Sequence, residues 1–309
     1  MRKAYLFSLL FICLLVTHPM AQDNASPELF SAKGYTFPYD LLKPLSKVKL
    51  PSPLREISGL GHISDERFAA IQDEKGKIFV INYRTGKIEQ EIYFADDGDY
   101  EGITLVKNDA WVLKSKGDLY RVKDFQDDKE RKVKKYETDL SKINDLEGLC
   151  YDAVNKRLLL ATKGHPYIDS KGGEHSKGIY AFDLSEKKLS SKPVYIIDLE
   201  EIKYYRKYNT MTRLGIDLMA NLDSSKGDVT FQPSDLAIHP VTGYIYVIGA
   251  VGDLLIVLHP SGEILAMLDL DDKLFHQPEG ICFGPNAELY ISNEAGEKAA
   301  TILKFSMQK

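Results

Sequence analysis

Tyr100-Glu101-Gly102-Ile103, Leu146-Glu147-Gly148-Leu149 and Pro278-Glu279-Gly280-Ile281 are one short phrase written three times. Two looser copies, Ile57-Ser58-Gly59-Leu60 and Pro233-Ser234-Asp235-Leu236, complete a set of five. Measured at the second residue, successive copies lie 43, 46, 87 and 45 residues apart. Near-equal spacing of this length marks a fold built from repeats. The step of 87 holds either an insertion or a hidden sixth repeat.

The stretch after each anchor also recurs. After Glu279 come Ile281–Phe283, the turn Gly284-Pro285-Asn286 and then Leu289-Tyr290-Ile291. After Ser234 come Leu236–Ile238, a turn ending at Gly243 and then Tyr244–Ile248. Apolar run, turn, apolar run is a β-hairpin. Two more strands come next in the clearest copies, at Ile78–Tyr83 and Ile88–Phe94, and at Leu254–Leu258 and Ile264–Leu268. Four antiparallel strands per repeat is a propeller blade, and such a sheet covers both faces only by stacking on its neighbours around an axis. The expected fold is therefore all-β, a five-bladed propeller, with six blades as runner-up. The last repeat stops after Ile302–Phe305, one strand short, and Lys47–Leu50 is a spare strand placed to complete it and hide the edge. Residues 200–232 show no strand alternation. They read as a partly helical insertion on the face from which the anchors start, where it would be placed to cover the mouth.

Arg2 and Lys3 precede an apolar run from Ala4 to about Val16, and small residues continue to Ala21. This reads as a secretory signal over 1–21. A lead-in over 22–45 and the propeller over 46–309 would come after it. The apolar run is shorter than a bilayer span, so contact with a membrane is expected only through an uncleaved leader. Loss of the leader leaves 38 basic against 45 acidic residues, a net charge of −7. Nucleic acid is a poor partner for such a chain; a cation, a basic partner or a neutral ligand suits it. Cys150 and Cys282 each stand three residues past an anchor Glu. Blades two steps apart cannot bring their Cα atoms within about 7 Å, so both are expected as buried free thiols.

Strand direction gathers the anchors, the loops after the second strands and the blade connectors at one end of the axis. The residues expected at a ligand site there are Asp73, Glu74, Glu101, Glu147, Lys163, Asp235, Glu279, Asn293 and Glu294. The opposite face is expected to carry short turns only. Three carboxylates around one axis each need a cation, a proton or a donor. Calcium takes six to eight oxygens and would bridge such a ring. Alternatively each Glu accepts backbone N–H groups of the next blade, or touches a ligand directly. His165 and His175 stand ten residues apart in a polar loop, unlike the tight spacing of a zinc pair. No nucleophile elbow, phosphate-binding glycine loop or HExxH motif occurs.

The ordered motifs between residues 50 and 305 resemble the SdiA-regulated, YjiK-like family of exported bacterial proteins. Those motifs are Ile57–Leu60 with Asp73-Glu74, Asp99–Ile103, Leu146–Leu149, Pro233–His239, and Pro278–Ile281 with Ser292-Asn293-Glu294. The resemblance implies a β-propeller in the cell envelope with no established reaction, and calcium as a ligand in some members, carried onto Glu101, Glu147 and Glu279. The expected function is a non-catalytic module binding a small ligand, an ion or a protein partner on the anchor face. The alternative is a calcium-dependent hydrolase of the propeller lactonase or phytase type.

Overall fold

The computed structural model describes residues 28–214 and 230–308. Residues 1–27, including the expected leader, and 215–229, most of the second half of the expected insertion, lie outside the described residues.

Five sheets form in chain order. Strands β1 (Glu28–Ser31) and β2 (Ser46–Lys49) precede the first anchor. Blade one is β3 (Ile57–Ser64), β4 (Arg67–Gln72), β5 (Lys77–Asn82) and β6 (Lys87–Tyr93). Blade two is β7 (Tyr100–Val106), β8 (Asp109–Lys114), β9 (Leu119–Lys123) and β10 (Lys132–Tyr136). Blade three is β11 (Leu146–Asp152), β12 (Arg157–Thr162) and β13 (Ser176–Asp183), whose outer edge pairs with both β14 (Lys188–Leu189) and β15 (Tyr195–Asp198). After the helix α1 (Leu199–Leu214), blade four is β16 (Asp235–Ile238), β17 (Ile245–Gly249), β18 (Leu254–Leu258) and β19 (Ile264–Asp269). Blade five is β20 (Pro278–Phe283), β21 (Leu289–Asn293) and β22 (Thr301–Phe305), completed by β2.

The inner strands β3, β7, β11, β16 and β20 touch in that cyclic order, and β20 returns to β3. The ring is closed by β2, whose Lys47 and Val48 pair with Leu303 and Ile302 of β22. The long anchor step is the insertion, not a sixth blade: it holds the tail of blade three and α1. That helix does not lie over the axis in its described part. Tyr205 stacks on Phe30 of β1 with ring centroids 3.7 Å apart, and Arg206 donates to Gly252 O and to Asp269 Oδ1. It therefore rests on the outer rim of blade four, and the expected lid is not formed by it.

The lead-in is more than a tail. β1 adds a fifth strand to blade four through β19. Phe37, Tyr39 and Leu41 are buried in a core shared by blades four and five, and the Tyr39 hydroxyl donates to Ala287 O at 2.8 Å. Cys150 and Cys282 are free and buried.

The anchor glycines have a packing reason. A Cβ on Gly102 would stand 2.7 Å from Leu149 Cβ and 3.0 Å from Leu149 N, both on the next inner strand. Five strands meeting around a narrow axis leave no room for a side chain there. Gly102→Ala should therefore destabilise the fold by about 1–3 kcal/mol through overpacking. A urea denaturation midpoint lowered at unchanged slope would show it.

Candidate site at the anchor mouth

In four of the five blades the anchor residue is the extra residue of a β-bulge. Pairing slips between Ile57 and Gly59, Tyr100 and Gly102, Leu146 and Gly148, and Pro278 and Gly280. Ser58, Glu101, Glu147 and Glu279 are thus the unpaired members. A bulge re-aims the side chain it frees, and here the freed side chains all stand at the start of an inner strand, at one end of the axis. Strand pairing brings the loop after each second strand to the same end: Leu146 faces Thr162, which puts Lys163 beside Glu147.

Lys163 Nζ donates to Glu147 Oε1 at 2.8 Å. The charges of Asp99 and Glu147 both act on the Glu101 carboxyl, and such crowding favours its protonated form. Burial first, then the charges of Glu147 and Asp99, push its pKa up to about 10. Burial acts on Asp99 in the same direction but is outweighed by donation from Ser115 and Glu101, so Asp99 stays below the usual carboxylate range. Burial also raises Glu147 against the pull of the Lys163 ammonium. Glu279 is pushed up to about 8 by burial and by the charges of Glu147 and Glu294, although Ser234 bonds to it. The mouth therefore holds Asp99, Glu101, Glu147 and Glu279, with Lys163 bonded to Glu147 and the charges of Lys114 and Lys142 acting on Asp99.

The other expected residues divide into two groups. Asp73 and Glu294 form an outer acidic patch near Glu56; burial is the largest cause raising each, and the charge of Glu56 adds to both. Glu294 accepts from Gln277 Nε2 at 2.7 Å, while Glu74 is exposed. Asp235 and Asn293 are structural. The Asp235 carboxylate takes the N–H groups of Leu149, Leu236 and Ile281 at 3.2, 2.8 and 2.9 Å, tying β16 to both neighbouring inner strands. Burial raises its pKa, and those three donors oppose the rise. It occupies the slot that holds glycine in the other anchors, one layer below the mouth. Asn293 donates to Leu274 O and Thr301 Oγ1. Its Oδ1 and the neighbouring Ser292 Oγ are buried without a partner.

The family model for SdiA-regulated proteins matches residues 42–231. The chain belongs to the SdiA-regulated family. No curated protein matches it. Among solved structures it is similar to the glutaminyl cyclase of Myxococcus xanthus at 11% identity, over 86% of this chain and 96% of that one, with a TM-score of 0.52. It is also similar to a streptogramin B lyase at 12% identity, over 84% of this chain and 97% of that one, TM-score 0.46. A virginiamycin B lyase from Staphylococcus aureus, also 12% identical, is covered over 68% of its length and covers 84% of this chain, TM-score 0.44. At these identities the likeness speaks to the propeller fold alone.

Within this family member the fit to calcium is tested by the side chains themselves. Among the described residues no three His, Cys, Asp or Glu are arranged to hold a metal ion. Glu147 is engaged by Lys163, and the three anchor glutamates by themselves do not offer the six to eight oxygens that calcium takes. His165 Nδ1 faces Tyr167 O and His175 Nδ1 lies 3.8 Å from Glu200, so the two share no partner.

Sequence reasoning missed Ser115 and Ser234 as partners of the mouth carboxyls. The turns between inner and second strands at the opposite face are short, as expected, but that face also holds a cavity of about 830 Å³, lined by the far ends of the inner strands. The apolar residues there looked like ordinary strand core, and nothing in the spacing marks a space between them.

Proposed function

We propose that the chain is a non-catalytic, exported binding module of the cell envelope whose anchor mouth takes a ligand through a positively charged group. The observation that carries this reading is the gathering of buried carboxyls at the mouth. Three glutamates stand there at bulges with Asp99 beside them, and Lys163, partly exposed, is bonded to Glu147. Strongly shifted carboxyls clustered at a channel mouth are a frequent mark of a binding site. A guest cation would displace Lys163 from Glu147 or the proton from Glu101. Export rests on the leader over 1–21, and the acidic balance of the chain agrees with a cationic guest.

The test is a thermal-shift and calorimetric series with calcium chloride and with 1,4-diaminobutane at pH 7.5. A ligand at a hundred times its Kd adds about 2.7 kcal/mol to the native state. Lys163→Met should bind the favoured cation at least tenfold more tightly, since the internal competitor is gone, and Glu147→Gln should lose the shift. Stabilisation by calcium alone, abolished by chelator, would restore the metal reading and reopen the hydrolase alternative. No shift with either cation in wild type and Lys163→Met would sink the cation reading.

A further inference from the structure

The carboxylate mouth leaves the larger cavity unexplained. It opens at the other end of the axis, where each inner strand turns into the second strand of its blade. Leu149, Leu236 and Ile281 line it, and these are the residues whose N–H groups Asp235 takes up. Asp235 therefore closes its floor and separates it from the anchor mouth. Its volume of about 830 Å³ falls in the range of small-molecule sites, roughly 300–1,000 Å³.

The walls are not uniform. Blades two to five contribute apolar side chains, among them Leu105, Ile238 and Phe283. The turns at the same end expose Val154 at 87% and Val241 at 71%, so the apolar surface continues outward onto the rim. The side at blade one is polar. Its arginines are already paired, Arg67 with Glu89 at 3.0 Å and Arg84 with Glu66 at 2.7 Å, and Asp65 at the rim is exposed. No unpaired base waits there for an anionic head. The polar surface on this side comes from Ser64, Asp65, Arg67 and Asn82, while the His62 ring packs against Phe68 and Tyr290. One hydroxyl or amide group on a guest would find hydrogen-bonding partners on such a wall.

We propose that this end of the channel is a second binding site, which takes a neutral amphiphile with its apolar body against blades two to five and a hydrogen-bonding head toward the polar wall of Ser64 and Asn82 at blade one. It is independent of the anchor mouth, because Asp235 lies between them.

The experiment is a fluorescence titration of the full chain with N-phenyl-1-naphthylamine, a neutral amphiphilic probe. Saturable binding to one site is expected. Ile238→Asp, which puts a charge on the half-exposed wall, should weaken it at least tenfold, and Lys163→Met at the far end should leave it unchanged. The sulfonated probe 1-anilinonaphthalene-8-sulfonate should bind at least tenfold more weakly. Circular dichroism checks the fold; if Ile238→Asp does not fold, Leu105→Ser, expected to weaken binding several-fold, decides. Absence of saturable binding, or equal binding by the folded wall variant and wild type, would overturn the proposal. Loss of binding in Lys163→Met would move the probe to the other mouth and overturn it too. Equal affinity for the sulfonated probe would overturn the neutral head.

Discussion

Asp235→Ala should lower the stability of the propeller by about 3–5 kcal/mol, the largest effect expected of any single side chain here. The carboxyl group accepts one backbone N–H from each of the two neighbouring inner strands and one from its own strand. Each hydrogen bond to this buried acceptor contributes about 0.5–1.5 kcal/mol net, and each buried donor left without a partner costs about 1–3 kcal/mol of desolvation. Alanine removes all three acceptor contacts at once and loosens the seam that β16 makes with β11 and β20. Asp235→Asn keeps one acceptor oxygen, so it should lose about 1–2 kcal/mol. Urea unfolding followed by circular dichroism distinguishes the two. An Asp235→Ala variant within about 0.5 kcal/mol of wild type, the scatter of a neutral surface change, would remove Asp235 from its structural role.

Glu101→Gln should stabilise the protein above neutral pH, which is unusual for a buried side chain at a recurring motif position. The folded pKa of Glu101 is raised from 4.5 to about 10 by burial and by Glu147 and Asp99. Between those values the folded chain holds a proton that the unfolded chain has lost. Stability must therefore fall as pH rises across that window, by up to about 1.4 kcal/mol per pH unit for one whole proton. Glu279, raised from 4.5 to about 8, adds the same sign over its shorter range. Gln carries two amide hydrogens, one for Asp99 and one for Glu147, and has no proton to lose. The variant should gain more than about 1.4 kcal/mol over wild type at pH 8 and show a flatter profile. Equal slopes for both proteins would mean that Glu101 does not retain its proton.

The ring was legible because packing repeats. At four of the five anchors a glycine such as Gly102 or Gly148 stands where the next inner strand comes too close for a side chain, and at three of them a glutamate precedes it at the bulge. That pair recurs at blade spacing and shows through the sequence without any strand having to be recognised alone. The closing strand was legible for a related reason: the last repeat supplies only three strands, β20 to β22, and β2 was the spare strand. β1 was not. Glu28-Leu29-Phe30-Ser31 has no alternation, and all four residues are only half-buried, because it lies on the outside of a sheet that is already complete.

At the anchor mouth, residue identity gathered the carboxyls at one end of the axis but did not show how they bond to one another. Glu101, Glu147, Lys163 and Glu279 do come together. Asp235 looked like a ligand because aspartate is a common one; its backbone partners lie on strands 86 and 46 residues away, which no local pattern reveals. The proton on Glu101 was hidden for the same reason, since it depends on Asp99 and Glu147 meeting one side chain from opposite sides.

The most direct measurement is a carbon-13 titration of the side-chain carboxyl groups in protein labelled at glutamate, with Glu101→Gln and Glu279→Gln as assignments. At least one glutamate should titrate well above neutral pH, and that resonance should vanish in Glu101→Gln. If every glutamate titrates in the ordinary range near about 4, the carboxyls at the anchor mouth are solvated and independent, and no gathered, proton-sharing site exists there.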